Sequence, residues 1–230
     1  MIRIAAIPLA AGLVLVGATS LTGQGTVGLR FGATDGTVSA GRLDGLDQVP
    51  RRSFSLEGSV TLSLREHFDL RLGLALTGKG TTYGLGSLLA NEDLRGTLTY
   101  ERTYVELRAL GRAVLPLWNR RVSLYALGGP ALAFSGKCDV SWHATTGPST
   151  SRSTYFDRCE LPLGPDSHIR LNGGGDFGAI GGLGAGFSFW DMGLSTEVLY
   201  TLGLRSDGTA GDTVRNRVRT VQFGVSVPFR

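Results

Sequence analysis

Lysine, histidine and cysteine are all scarce in this chain. Only Lys79 and Lys137 are lysines, so the net charge of +4 is carried almost wholly by arginine. The basic residues form no single stripe interleaved with aromatics, which removes the main signature of a nucleic-acid surface. Three histidines, His67, His143 and His168, leave little room for a catalytic or metal constellation. Long hydrophobic runs are also missing. Past the N-terminus nothing approaches the ~18 apolar residues of a membrane-spanning helix, which excludes a helical membrane protein.

Glycine, by contrast, is abundant. The 35 glycines have no collagen period and many sit inside apolar stretches, which suits tight turns and crowded strands better than helices. Residues 1–20 have the build of an export signal. Arg3 is a short positive region, Ile4 to Val16 is apolar, and Val16-Gly17-Ala18 and Ala18-Thr19-Ser20 offer small residues for cleavage. The alternative is a buried N-terminal helix. Export implies an oxidising compartment, where the only two cysteines, Cys138 and Cys159, are most simply a disulfide.

Eight segments then alternate apolar and polar residues with period two. They are Val27 to Ala33, Phe54 to Leu64, Phe68 to Thr77, Thr97 to Leu115, Val122 to Phe134, Phe177 to Phe189, Leu194 to Leu204 and Val218 to Arg230. Phe54, Leu56, Val60, Leu62 and Leu64 stand against Ser55, Glu57, Ser59, Thr61 and Ser63 in the cleanest case. Connections alternate long and short. Thr34 to Ser53, Gly78 to Gly96, Ser135 to Asp176 and Arg205 to Arg217 are long; Arg65-Glu66-His67, Pro116 to Arg121 and Trp190 to Gly193 are short. An even strand count with short turns at one end and long loops at the other describes an all-β, eight-stranded antiparallel transmembrane β-barrel, with four long external loops and three short periplasmic turns. Residues 25–230 form that single domain, in the bacterial outer membrane.

A soluble barrel alternates too, with its greasy face inward. Three features favour lipid outside. Arg30, Glu57, Arg71, Glu106, Arg108 and Glu197 sit in mid-strand on the polar face, three of each sign, as a network neutralised inside a narrow lumen requires. Phe68, Trp118, Phe189, Trp190 and Phe229 mark the turn end and Phe54, Phe134 and Phe177 the loop end, as two interfacial girdles. The polar face is otherwise rich in Gly, Ser and Ala, which fits a cramped interior.

The run Arg102 to Leu110, followed by Leu124-Tyr-Ala-Leu-Gly-Gly-Pro-Ala-Leu, resembles the paired central strands of the PorT-like outer-membrane barrel domain. The last strand, finished by Phe229, is also similar to the ends of outer-membrane barrels, although Arg230 follows it. The resemblance spans Gly25 to Phe229 and implies no catalytic residues.

Other motifs carry less. Gly73 to Lys79 matches the start of a phosphate-binding loop, but position 80 is Gly and the stretch is a strand. Gly173 to Gly178 matches a dinucleotide fingerprint without the strand before it or the helix after it. Cys138, His143, Cys159 and His168 could bind zinc, but their spacing fits no finger. His143 and His168 lie near Ser141, Ser149, Ser151, Asp157 and Asp166 without triad spacing. The expected role is therefore structural or adhesive and non-catalytic, with no cofactor or metal. Outer-membrane lipid, the barrel-assembly machinery and an extracellular ligand held by the loops are the expected partners. A narrow channel for small solutes or ions, and a lipid-modifying enzyme, are the alternatives.

Overall fold

Period-two alternation becomes a closed ladder in the computed structural model, which describes residues 25–40, 47–84, 94–117, 121–146, 150–156, 160–164, 167–170, 175–206 and 214–229. The expected export signal, Trp118 and Cys159 lie outside the described residues. The strands are β1 Gly25–Ala40, β2 Asp47–Arg65, β3 Phe68–Gly84, β4 Leu94–Leu117, β5 Val122–Thr146, β6 Thr150–Phe156, β7 Glu160–Gly164, β8 Ser167–Arg170, β9 Gly175–Phe189, β10 Met192–Ser206 and β11 Val214–Phe229. Eight of them, β1 to β5 and β9 to β11, close an antiparallel ring. The seam joins β1 to β11 from Gly25↔Phe229 to Ala40↔Val214, so the ring has no open edge.

The polarity is that of a membrane barrel. Leu183 is 68% exposed and Leu72 45%, whereas Arg71 and Glu106 are each 1% exposed and Glu57 is fully covered. In water such a distribution would leave a wide apolar surface uncovered and charges shut away. Facing hydrocarbon, the outward rows of Leu, Val and Phe are solvated and the inward charges neutralise one another.

The strands are longer than the alternation suggests. About ten residues cross a membrane as a tilted strand, yet β4 has 24 and β5 has 25. Much of what reads as long loop is ladder continued beyond the lipid, where both faces can be polar and the period-two signal fades. Ser135 to Asp176 holds the end of β5 and all of β6, β7 and β8. The β5–β9 pairing ends at Phe134↔Gly175, and β6 takes over the β5 edge from Val140↔Phe156 to Thr146↔Thr150.

A β-bulge separates the two halves of β5. Its register to β4 steps from Tyr104↔Ser135 to Arg102↔Cys138, so one extra residue enters on β5. That insertion reverses which parity faces inward. Tyr125, Leu127, Ala131 and Ala133 are buried below it and Val140 above it.

At the opposite end the turns are tight. Glu66 and His67 join β2 to β3, and Trp190 and Asp191 join β9 to β10. Phe68, Phe189 and Trp190 are exposed there, and Phe54, Phe134 and Phe177 are exposed toward the far end. Phe229 has the same outward parity as Val221, Phe223, Val225 and Val227. It is half-buried, and its ring covers Gly25 across the seam, where a Cβ would lie 2.5 Å from the Phe229 Cζ.

Candidate functional site

The lumen gathers the chain's buried charges. Because alternate positions face inward, Arg30 on β1, Glu57 on β2, Arg71 on β3, Glu106 and Arg108 on β4 and Glu197 on β10 all project into one space. Glu57 is the hub. Its Oε2 lies 2.7 Å from Arg108 Nη1, and its Oε1 lies 3.4 Å from Arg30 Nη1 and 3.5 Å from Arg71 Nε. Glu197 is the second anchor. Arg71 Nη1 approaches its Oε1 to 2.6 Å, Tyr125 donates its hydroxyl to the same oxygen at 2.7 Å, and Gln222 donates to Oε2 at 2.7 Å. Arg30 also donates to Ser59 and lies 3.4 Å from Glu197 through Nε.

Two residues outside the expected six extend the network toward the outside. Lys79 Nζ lies 2.8 Å from Glu106 Oε1 and 3.9 Å from Asp176 Oδ2, while Arg108 Nη2 lies 2.5 Å from Glu106 Oε2. Asn216 donates to Asp176 Oδ2 at 2.8 Å. The network thus joins four basic residues to four acidic ones: Arg30, Arg71, Lys79 and Arg108 to Glu57, Glu106, Asp176 and Glu197. Lys79 escapes the sequence reading because Gly78 and Gly80 flank it and hide the alternation. Asp176 escapes because it stands at the ragged start of β9. The usable signal was parity: Lys79 is in step with Arg71, and Asp176 with the inward glycines of β9.

The other wall is apolar. Leu110, Tyr125, Leu127, Ala131, Ile180 and Leu199 form a buried cluster facing the same interior. β9 is too glycine-rich to fill its side of a narrow barrel, so large apolar groups from its neighbours do so. Gly184 shows the mechanism. The Tyr125 ring occupies the space where a Cβ on Gly184 would stand, and this brings the Tyr125 hydroxyl to Glu197.

Above the charges, Tyr83, Leu98, Tyr100 and Val140 are buried, and Lys79 lies 4.5 Å above the Tyr104 ring. Below them a cavity of about 290 Å³ opens at the turn end, with Arg30, Arg112, Ser123, Tyr125 and Ser195 in its lining. Arg112 holds Asp69 at 2.7 Å and stacks 4.6 Å from the Tyr125 ring. Among the described residues these side chains occupy the middle of the lumen, with a mouth at the turn end.

The histidines and Cys138 are distributed over the β2–β3 turn, β5 and β8. His67 lies in the β2–β3 turn, where its backbone carbonyl accepts from Val114 N at 2.8 Å. Cys138 and His143 stand five positions apart on β5, which sends them to opposite faces. His168 belongs to β8. Ser141 pairs with Thr99 and Tyr155 in the ladder, and Ser151 with Thr145. Ser149, Asp157 and Asp166 lie outside the described residues. Among the described residues no three His, Cys, Asp or Glu side chains are grouped as for a metal ion.

No known protein family matches the chain. No curated protein matches it either. Solved structures do resemble it. The outer membrane protein OprG from Pseudomonas aeruginosa is 15% identical, over 90% of this chain and 96% of that one, with a TM-score of 0.50. Neisserial surface protein A is 12% identical, over 88% and 97%, with a TM-score of 0.42. Ail, the attachment invasion locus protein of Yersinia pestis, is 15% identical, over 91% and 100%, with a TM-score of 0.38. At such identities the likeness concerns the fold. The closed eight-stranded ring, its inside-out polarity and its fold place this chain among the outer-membrane β-barrel proteins.

Proposed function

We propose that this barrel is a structural or surface-interaction protein, non-catalytic, whose contact surface is the ladder extended beyond the membrane. The observation that carries the reading is the occupied middle of the lumen, where buried acids and bases are joined to one another opposite an apolar wall. An eight-stranded barrel leaves an interior just wide enough for side chains to fill. The outer ends of β4 and β5, paired from Arg102↔Cys138 to Leu94↔Thr146 with β6 on the β5 edge, supply a platform on the outside, where binding functions are commonly carried.

Within the same proposal, residues 1–20 direct export and residues 25–230 fold through the assembly machinery into the outer-membrane lipid. The Arg102 to Leu110 and Leu124 to Leu132 segments support a PorT-like ancestry, and Cys138 and Cys159 staple the outer platform. A narrow channel is the second reading, favoured by the polar mouth beneath Arg30.

Planar-bilayer recording separates the two. A structural barrel shows no unitary conductance, and Glu57→Ala or Arg108→Ala lowers its thermal stability. A channel conducts, and the same changes alter the current. Cells carrying a barrel trimmed of β6 and of the outer ends of β4 and β5 lose attachment to protein-coated surfaces if the platform is the contact site.

A further inference from the structure

The outward face of β11 changes character abruptly. Val221, Phe223, Val225 and Val227 are exposed apolar residues at alternate positions. The next two positions of the same alternation toward the outside are Arg219 and Arg217, both exposed. The change continues across neighbouring strands. Phe54, Ala33, Val221 and Val198 form one row across neighbouring strands through the pairs Ala33↔Phe54, Ala33↔Val221 and Val198↔Val221. One step outward the row reads Arg52, Asp35, Arg219 and Tyr200, through Asp35↔Arg52, Asp35↔Arg219 and Tyr200↔Arg219. Arg217 stands above Arg219, beside Thr37 and Leu202.

Asp35 is the one carboxylate in this patch among the described residues, and it lies 3.5 Å from Arg52. No ion pair among the described residues reaches Arg217 or Arg219. Two like charges about 7 Å apart on one strand face repel unless an anion lies between them. On β11 they directly follow the outward apolar row, and the phosphates of a lipid leaflet lie at the end of such a row. A guanidinium binds phosphate through paired N–H donors, and its aliphatic stem can rest on the apolar level below.

We propose that Arg52, Arg217 and Arg219 form a site for the phosphate of a lipid headgroup in the outer leaflet. The inference rests on the outer-membrane barrel reading and adds a specific lipid contact to it.

The test uses the full barrel in nanodiscs of phosphatidylcholine containing a minority of phosphatidic acid. Native mass spectrometry counts the lipids retained on release. The wild type retains phosphatidic acid in preference to phosphatidylcholine. At about 1 kcal/mol for each basic residue at a membrane surface, Arg217→Gln/Arg219→Gln weakens that preference on the order of thirtyfold. Arg121→Gln, an exposed arginine at the turn end, leaves it unchanged. Equal retention by wild type and double variant overturns the site, as does an equal loss in Arg121→Gln. Displacement of the lipid by inorganic phosphate at matched concentration also overturns it, because the site would then recognise a free anion. Failure of the wild type to enter nanodiscs, seen as no heat-modifiable gel shift, overturns the barrel reading itself. Insertion without lipid preference overturns only the site.

Discussion

Glu57 and Arg108 meet at 2.7 Å although β3 runs between their strands. The contact ties non-adjacent staves of the barrel from within, and Glu57 also lies within 3.5 Å of Arg30 and Arg71. Removing one partner of a buried pair leaves an uncompensated charge, at a cost of about 3–5 kcal/mol. Glu57→Ala therefore lowers the stability of the folded barrel by at least that order, in urea titrations followed by the heat-modifiable gel shift. Arg30→Ala costs less, because both of its carboxylate contacts are at 3.4 Å. Equal losses for the two variants would show that Glu57 is not the hub.

Tyr125 and Gly184 provide a finer test. The ring lies over the glycine and its hydroxyl donates to Glu197. Tyr125→Phe keeps the ring and removes one hydrogen bond to a charged acceptor, worth about 1.5–3 kcal/mol. Gly184→Val instead displaces the ring and should lose both packing and hydrogen bond. The valine variant unfolds at lower urea than the phenylalanine variant. In the double variant, Tyr125→Phe costs little more, since the hydroxyl has already left Glu197.

The two walls of the lumen differ in how legible they were. Arg30, Glu57, Arg71, Glu106, Arg108 and Glu197 stand out because a charge in mid-strand, flanked by aliphatic residues, has few places to go. Leu110, Leu127, Ile180 and Leu199 face the same interior but read as ordinary apolar residues, since period two alone cannot tell a lumen-facing leucine from a lipid-facing one. The strand count and the turn end were readable for the same physical reason: lipid imposes strict alternation. Beyond the lipid that constraint lapses. The outer ends of β1, β2, β3 and β5 therefore resembled loop, and the bulge at the step from Ser135 to Cys138 reversed the parity unannounced.

Gly25 and Phe229 close the seam at the turn end. A Cβ at Gly25 would stand 2.9 Å from the Phe229 Cε1 and 3.0 Å from the Thr61 carbonyl oxygen, so a side chain there must displace the ring. Gly25→Val should slow closure of β1 on β11, measured as the rate at which the heat-modifiable band appears during refolding into vesicles. Combining it with Phe229→Ala should restore much of the rate. An unaffected rate in Gly25→Val would show that the seam closes without this contact.

The proposed Cys138–Cys159 bridge concerns the outer platform, not the barrel wall. Closing about twenty residues contributes on the order of 3 kcal/mol. Intact protein denatured without reductant should resist a thiol-reactive polyethylene glycol, and after reduction it should take up two. Reduction should speed proteolysis of the platform while the barrel midpoint stays nearly unchanged. Immediate labelling of unreduced protein would refute the bridge.

Trp190 carries the one positive φ of a non-glycine residue among the described residues, 53°, at the first position of the two-residue turn between β9 and β10. Glycine is the usual occupant of such a position, and holding a bulky residue there costs about 1–3 kcal/mol. The tryptophan is 87% exposed and its ring lies 4.5 Å from that of Phe189, tilted by 31°. That placement suits an interfacial anchor, for which tryptophan is favoured. The two effects oppose each other, and the surroundings decide which wins. In detergent, where no fixed interface exists, Trp190→Gly should raise the unfolding midpoint. In phospholipid vesicles the loss of the anchor should reduce or reverse the gain. Midpoints measured for the same pair of proteins in both media provide the check: an equal gain in each would mean that the side chain does no anchoring, and a loss in each would mean that the backbone conformation carries no strain.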